Sequence, residues 1–171
     1  KMKSSIYALL IAGLCGLMNS AIAAAPLIER IGAPLTHPWG MDFLDVSTVL
    51  VTERSGKLYK INLADGTRQP ITGLPDIEAR RQGGLLDIAI ATLDNGPTTV
   101  FFCYSKPVTG GSVTAIDRAQ LAGTSLTNRR TIFMANNVSE NAIHYGCRLV
   151  LNDVYIYASL GERGARYEAQ D

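Results

Sequence analysis

Short runs of alternating polar and apolar residues dominate the chain after its first 25 positions, and helical periodicity is nearly absent. These runs are rich in β-branched and aromatic residues and are separated by Gly, Asn, Asp and Pro, a pattern typical of many short β-strands. The clearest case is TVLVTERSGKLYKI, where residues 48–52 and 57–61 alternate in polarity and Ser55 and Gly56 provide a turn. The pattern therefore predicts a β-hairpin in this segment.

A second hairpin is predicted in RLVLNDVYIYASL, residues 148–160, because Asn152 and Asp153 tolerate the positive φ of a tight turn. Between the two hairpins, four consecutive strands are predicted in GLLDIAIA, TTVFFCYS, VTAID and RTIFMA. The chain is therefore predicted to be all-β.

A glycine recurs at the start of successive apolar strands. Gly40, Gly84 and Gly146 lie 44 and then 62 residues apart, and a second strand rich in β-branched and aromatic residues follows each of them. A period of about 40–50 residues carrying four strands is typical of a β-propeller blade. A β-sandwich would also give short strands, but it does not explain the recurring glycine. We therefore predict a β-propeller, with two blades and the first half of a third in this chain. The three glycines are expected at or just before the innermost strand of each blade.

The first 25 residues differ from the rest of the chain. A short start with two lysines precedes an apolar run over residues 6–18, and the small residues of AIAAA follow. This pattern is typical of a secretory signal peptide, and its apolar part is too short to span a membrane. We expect residues 26–171 to form an exported domain, periplasmic or secreted, with no membrane span in the mature chain.

The charges of the chain nearly cancel, with 16 Lys and Arg against 15 Asp and Glu. Since a nucleic-acid partner would require a basic face, this balance argues against that class of partner. Two cysteines, Cys103 and Cys147, remain after the predicted signal peptide. An oxidising compartment permits a disulfide, but two cysteines do not form the framework of a small disulfide-rich domain. The sequence leaves both a disulfide and two buried thiols open.

Five segments, in the same order along the chain, resemble the soluble quinoprotein sugar dehydrogenases, the glucose/sorbosone and aldose dehydrogenase family. They are HPWGMDFL, LVTERSGKLYKI, RRQGGLLDIAI, HYGCRLVL and ASLGERGARYEAQD, and the resemblance covers residues 28–171. It implies a six-bladed β-propeller that uses pyrroloquinoline quinone (PQQ) and calcium to oxidise aldose sugars at the anomeric carbon. Because a propeller needs several blades to close its ring, residues 26–171 are expected to be an incomplete, amino-terminal portion of such a domain.

The resemblance assigns roles to two residues. His144, in the loop NNVSENAIHYGCRL, matches the family's general base, which takes the hydroxyl proton at the anomeric carbon while hydride passes to PQQ. An imidazole suits this role because it accepts a proton at modest cost near neutral pH. Gln82 matches a glutamine that lines the same pocket, where an amide can donate to and accept from sugar hydroxyls. Without the resemblance, a loop histidine is usually just a solvated polar residue.

Two positions depart from the family's pattern. Ile143 stands where the family has Asp or Asn directly before the base, so that neighbour cannot orient the imidazole. Cys147 replaces a small residue at the start of the next strand. The acids Asp153, Glu162 and Asp171 lie in predicted turns and do not form a convincing metal cluster. The family's PQQ-binding arginines and lysine and its calcium ligands are expected beyond residue 171.

Two classes of function follow from these residues. The first is an exported PQQ-dependent aldose dehydrogenase with a small-molecule sugar as substrate and an electron acceptor that the resemblance does not assign. The second is a non-catalytic propeller that binds a carbohydrate or a protein, and an inactive truncated fragment is a third alternative. His144, Gln82 and the predicted signal peptide favour the enzyme, whereas Ile143 and Cys147 favour the non-catalytic propeller. The 171-residue segment on its own is expected to be inactive, because it lacks most of the cofactor ligands.

Overall fold

The computed structural model of the protein describes residues 27–91, 96–152 and 154–169, so the predicted signal peptide lies outside the described residues. The chain divides into two units, Lys1–Arg30 and Ile31–Asp171. Of the first unit only residues 27–30 are described, and they have no regular secondary structure. Among the described residues, no helix has the length and apolar character needed to cross a membrane.

The first sheet is an antiparallel meander in which each strand pairs with the next along the chain. Its strands are β1 (Pro38–Asp45), β2 (Thr48–Glu53), β3 (Lys57–Asn62) and β4 (Arg68–Ile71). The predicted first hairpin is β2–β3, in which Thr48 pairs with Asn62 and Glu53 with Lys57. Gly56 turns the chain with a φ of 91°, a conformation that glycine adopts without steric cost. This hairpin prediction is confirmed.

The second sheet repeats the four-stranded meander. Its strands are β5 (Leu85–Ala91), β6 (Thr99–Val108), β7 (Gly111–Ala122) and β8 (Ser125–Met134). The four strands predicted for this segment are confirmed, but β7 and β8 begin or end several residues beyond the predicted runs. The first half of β8 is polar and largely exposed, yet it pairs with β7 through Leu126 and Leu121 and through Thr127 and Gln120. An exposed strand segment has no apolar pattern to reveal it, although its backbone pairs with the neighbouring strand, here with two irregularities in the register.

The third sheet has two strands among the described residues, β9 (Gly146–Leu151) and β10 (Ile156–Leu160), and a short 3₁₀ helix, Arg166–Glu168, follows them. The turn between the strands is closed by Asn152, whose Oδ1 accepts the N–H groups of Val154 at 3.0 Å and Tyr155 at 2.7 Å. The second predicted hairpin is therefore confirmed, and Asp153 of its predicted turn lies outside the described residues.

The first strands of the three sheets lie side by side, with β1 against β5 and β5 against β9. This is the arrangement of inner strands in adjacent propeller blades. Gly40 lies within β1, Gly84 directly precedes β5, and Gly146 begins β9. At Gly40 a Cβ would come within 2.7 Å of Oδ1 of Asp87 in the next sheet, so a side chain there would separate the two strands. The predictions of an all-β propeller and of the positions of the three glycines are confirmed.

Both faces of the second sheet are buried, because each packs against a neighbouring sheet. One face meets the first sheet in a cluster that includes Leu50, Leu58, Leu85, Phe102 and Tyr104. The other face meets the loop before β9 and β9 itself, in a cluster that includes Leu86, Cys103, Ile116, Tyr145, Cys147 and Leu149. Successive residues of a strand point to opposite faces, so β5 needs apolar residues at consecutive positions. The apolar residues at consecutive positions of β5, Leu85–Leu86 and Ile88–Ala91, follow from this double burial.

Aspartates on the inner strands tie each sheet to the next. Asp42 of β1 accepts the N–H of Ile90 in β5 at 2.7 Å. Asp87 of β5 in turn accepts the N–H of Leu149 in β9 at 2.7 Å. These bonds satisfy main-chain groups of the inner strands that would otherwise lack a partner between the blades.

A disulfide joins Cys103 of β6 to Cys147 of β9, with the two Cα atoms 6.4 Å apart, within the usual range for a disulfide. Of the two alternatives left open by the sequence, the structure has the disulfide. It connects the second sheet to the strand that begins two residues after His144.

Candidate functional site

His144 lies in the loop between β8 and β9, two residues before β9 begins. Its backbone has a positive φ of 49°, and its imidazole is half exposed, with 49% of the side-chain surface accessible. The next residue, Tyr145, is buried and holds the loop to β7. Its hydroxyl lies 2.7 Å from Oγ of Ser112, and its carbonyl accepts a hydrogen bond from the hydroxyl of Thr114 at 3.0 Å. The loop is therefore anchored on the side chain next to the histidine, while the imidazole faces outward.

The structure brings the two predicted site residues together. The side-chain Oε1 of Gln82 accepts the main-chain N–H of His144 at 2.8 Å, and the main-chain N–H of Gln82 donates to the carbonyl of Ala142 at 3.0 Å. Gln82 itself is exposed. Because its carbonyl oxygen is directed at the His144 backbone, its NH₂ group is the part of the amide that can donate to a bound molecule.

The imidazole of His144 has a carboxylate partner, Glu162, which lies two residues after the end of β10. Nδ1 of His144 and Oε1 of Glu162 are 2.5 Å apart. The other carboxylate oxygen accepts the N–H of Gly164. The hydrogen bond with His144 lowers the pKa of Glu162 below its ordinary value, with a smaller contribution from Gly164 and a partial opposition from burial. Glu162 is thus ionised at neutral pH.

An ionised carboxylate can only accept hydrogen bonds, so its partner Nδ1 carries a proton. In the neutral imidazole, Nε2 is then the unprotonated nitrogen, with a lone pair free to accept a proton. The arrangement of carboxylate, imidazole and open Nε2 is that of an oriented general base. The carboxylate also stabilises the imidazolium that forms when the base takes up a proton.

The expectation that His144 has no orienting neighbour, drawn from Ile143, is corrected by Glu162. The residue before His144 provides no orienting group, but Glu162 provides one from the other arm of the β9–β10 hairpin. The sequence analysis considers Glu162 only as a possible metal ligand and gives it no role at His144. The sequence carried no signal for this pair, because the register of β9 and β10 shifts between Ala158 and Leu160, and only the folded hairpin, with Leu160 opposite Gly146, brings residue 162 to residue 144.

The segment that carries Glu162 runs directly alongside the histidine. The N–H of Gly161 donates to the carbonyl of Tyr145 at 3.2 Å, and the N–H of Arg163 to the carbonyl of His144 at 3.4 Å. A Cβ on Gly161 would overlap the His144 carbonyl oxygen, so only glycine allows this approach. The backbones of the two segments are therefore held in contact, independently of the His144–Glu162 pair.

Within the described ranges, no three His, Cys, Asp or Glu side chains come together in a way that could hold a metal ion. Asp153 and Asp171 lie outside those ranges. The three carboxylates of PQQ require several cationic or amide donors, of which this part of the chain offers the Gln82 amide beside the His144 imidazole. The Gln82 NH₂ group is therefore a donor of the kind that a carboxylate or a sugar hydroxyl can accept.

The fold and the site together define a β-propeller portion that presents an oriented histidine on the loop before an inner strand. Residues 35–171 match the family model described as glucose/sorbosone dehydrogenase. The chain belongs to this family, and the resemblance predicted from its five segments is confirmed.

Individual relatives agree with this assignment. The chain is 33% identical over 162 residues to the aldose sugar dehydrogenase YliI of Escherichia coli (strain K12), a match that covers 90% of this chain and 44% of that protein. A crystal structure of a glucose dehydrogenase superposes with a TM-score of 0.79 at 31% identity, over 85% of this chain and 44% of that one. The PQQ-bound aldose sugar dehydrogenase of Streptomyces coelicolor shares the fold, with a TM-score of 0.73 at 22% identity, over 85% and 44% of the two chains. The chain thus spans less than half the length of these relatives.

Proposed function

We propose that the full-length protein is an exported PQQ-dependent aldose sugar dehydrogenase, that this chain is its amino-terminal part, and that His144 is the general base. The single observation that supports the role of His144 is its pairing with ionised Glu162 through Nδ1, which leaves Nε2 of the neutral, half-exposed imidazole unprotonated. The relative in E. coli is named as an aldose sugar dehydrogenase, and the one in S. coelicolor was solved with PQQ bound.

The proposed reaction oxidises the anomeric carbon of an aldose in its ring form. Nε2 of His144 takes the proton of the anomeric hydroxyl, the C–O bond gains double-bond character, and the anomeric C–H bond breaks with loss of a hydride. PQQ, when bound, supplies the acceptor for that hydride. The sugar leaves as a lactone, two electrons poorer, and the proton is held on the imidazole.

Glu162 and Gln82 assist the base in different ways. As His144 becomes positively charged, its bond to Glu162 becomes a charge-assisted pair, which stabilises the product of proton transfer. Gln82 holds the main chain of His144 through Oε1, and its NH₂ group can donate to a sugar hydroxyl. The base therefore has both its side chain and its backbone held before a sugar binds.

The test uses the full-length protein reconstituted with PQQ and calcium. The parent is expected to oxidise aldoses, and His144→Ala is expected to lower kcat by about 10²–10⁴-fold, the usual contribution of a positioned general base. Quinone binding, followed by its absorbance, should be unchanged. His37→Ala is the matched control, because His37 is exposed and is the other histidine of the chain.

Two results would contradict the proposal. One is a His144→Ala variant that oxidises sugar as fast as its parent. The other is a parent that binds PQQ and oxidises no aldose, which would assign the protein to the non-catalytic propellers. Ile143 and Cys147 favour that alternative in the sequence, and the presence of Glu162 beside the imidazole supports the enzyme by providing an orienting group that Ile143 lacks.

Export forms a separate part of the proposal. It is supported by the pattern of the first 25 residues, and the Cys103–Cys147 disulfide is compatible with an oxidising compartment. Amino-terminal sequencing of the mature protein should find a start after Ala23 or Ala25, and a cytoplasmic protein with an intact amino terminus would contradict export.

A further inference from the structure

Arg163, directly after the carboxylate partner of His144, is a buried cation, with 2% of its surface exposed. Its guanidinium donates to three main-chain carbonyls: from Nε to Ile143 at 2.9 Å, from Nη2 to Asn141 at 2.6 Å, and from Nη1 to Ser112 at 2.8 Å. Its central carbon lies 3.7 Å from the centre of the Tyr145 ring. A single planar group therefore contacts the loop on both sides of His144.

Burial of the Arg163 charge carries a desolvation cost, which a residue that served only to fill the core would not need. Within the part of the chain that the structure describes, no ion pair includes Arg163, and burial lowers the pKa of its guanidinium. The carbonyls and the aromatic ring compensate the desolvation. An apolar side chain of similar volume would pack there without that cost, so stability alone does not explain an arginine.

The contacts of Arg163 connect the His144 loop to the second blade. Asn141 and Ile143 precede His144 in the loop, and Tyr145 follows it. Ser112 is the second residue of β7, and its hydroxyl also bonds to Tyr145. The guanidinium of Arg163 thus holds residues 141–145 against β7 of the second sheet, while the adjacent Glu162 holds the imidazole of His144.

We propose that Arg163 is a positioning residue for His144, in that its guanidinium holds the 141–145 loop where the imidazole meets Glu162 and the main chain meets Gln82. The kinetic consequence rests on the proposed function, whereas the effect on the loop does not. Lysine cannot replace it fully, because one ammonium group cannot donate along the three directions of a planar fork or stack as well on Tyr145.

The experiment compares Arg163→Met and Arg163→Lys in the full-length protein. Arg166→Met is the control, since Arg166 is exposed and lies three residues further along the same segment. Hydrogen exchange in the cofactor-free protein should rise about tenfold in the peptide covering residues 141–147, and stay unchanged in β2, β3 and the β6–β7 pair. The lysine variant should fall between the parent and Arg163→Met.

With PQQ loaded, kcat is expressed per bound quinone, so that only folded sites are counted. Arg163→Met should lower this kcat by about 10–100-fold, the effect of a displaced catalytic group, with KM changed by less than about threefold. The isotope effect on kcat with an aldose deuterated at the anomeric carbon should increase, because bond breaking becomes slower relative to product release. A residue that only stabilised the fold would leave both quantities unchanged at folded sites.

The proposal is overturned if exchange at residues 141–147 matches that of the parent. It is overturned equally if exchange rises throughout the sheets while kcat per bound quinone is unaltered, since Arg163 would then stabilise the fold only. If Arg163→Met does not fold, Arg163→Lys carries the same comparison. If the parent oxidises no sugar, the proposed function fails, and local loss of exchange protection in Arg163→Met still decides whether Arg163 holds the loop.

Discussion

Replacement of Glu162 by glutamine isolates the charge of the His144 partner from its shape. In Glu162→Gln a carbonyl oxygen can still accept the Nδ1–H bond, so the imidazole keeps an acceptor at the same place. The negative charge that stabilises the imidazolium is lost, however. The pair is partly open to solvent, with side-chain exposures of 49% for His144 and 18% for Glu162, which weakens the charge interaction. We therefore expect kcat to fall by about 10–100-fold, by analogy with the loss of a carboxylate that orients a metal-ligating histidine, and less than for His144→Ala.

The assay is the steady-state oxidation of an aldose by the full-length protein loaded with PQQ, with kcat expressed per bound quinone. Glu140→Gln is the matched control, because Glu140 is an exposed glutamate four residues before His144 in the same loop. KM should change little, since the charge acts on the imidazole rather than on the sugar. Equal values of kcat for Glu162→Gln and the parent would refute the assignment of Glu162 as the partner of the base.

The same variant gives a pH dependence of stability with a defined sign. The pKa of Glu162 in the folded protein lies below its ordinary value of 4.5, so the pair stabilises the fold above that pH. This contribution is lost as the pH falls through the lowered pKa. The parent should therefore be more stable than Glu162→Gln near neutral pH, and the difference should disappear in acid. A difference that grows in acid would contradict the ionised state of Glu162.

Two further changes test the contacts between blades, each by denaturant unfolding of the full-length protein. Replacement of both Cys103 and Cys147 by alanine should lower the free energy of unfolding by about 2–4 kcal/mol, because the disulfide closes a loop between residues 44 positions apart in the unfolded chain. Equal stability with and without the disulfide would contradict this. Asp87→Ala should lower the free energy of unfolding by about 1–3 kcal/mol, because the buried N–H of Leu149 loses its acceptor. The control Asp76→Ala, at an exposed aspartate, should change it little, and equal effects of the two substitutions would refute this role of Asp87.

Most of the fold could be predicted from the sequence, because the signals that define it are local. Alternation of polarity and the turn residues Gly56 and Asn152 identified both hairpins, and the recurring glycines located the inner strands. The start of β8 was missed, since a strand exposed along most of its length has no apolar pattern. The disulfide remained open because it depends on the proximity of two strands, β6 and β9, that belong to different sheets.

The candidate site was less accessible to sequence reasoning. His144 and Gln82 were named through a family resemblance, and no local pattern would have joined them across 62 residues. Arg163 and Arg166 lie in the same short segment, and composition gives no reason to bury the first and expose the second. The difference in burial between the two arginines depends on the fold, because the carbonyls that accept hydrogen bonds from Arg163 come from the His144 loop and from β7.

The His144–Glu162 pair is formed by residues that flank one hairpin, β9–β10. The pair can therefore form without the cofactor. His144 precedes β9, Glu162 follows β10, and the register of these strands brings the two side chains together. Gln82, Arg163 and the disulfide then attach that hairpin to the second sheet. All of these contacts lie among the described residues, whereas most of the groups that would hold PQQ and calcium are proposed to lie elsewhere in the full-length protein. The imidazole of His144 is therefore expected to be oriented before PQQ binds. Variants of Glu162 and Arg163 should accordingly change proton transfer and loop protection while the affinity for the quinone stays close to that of the parent.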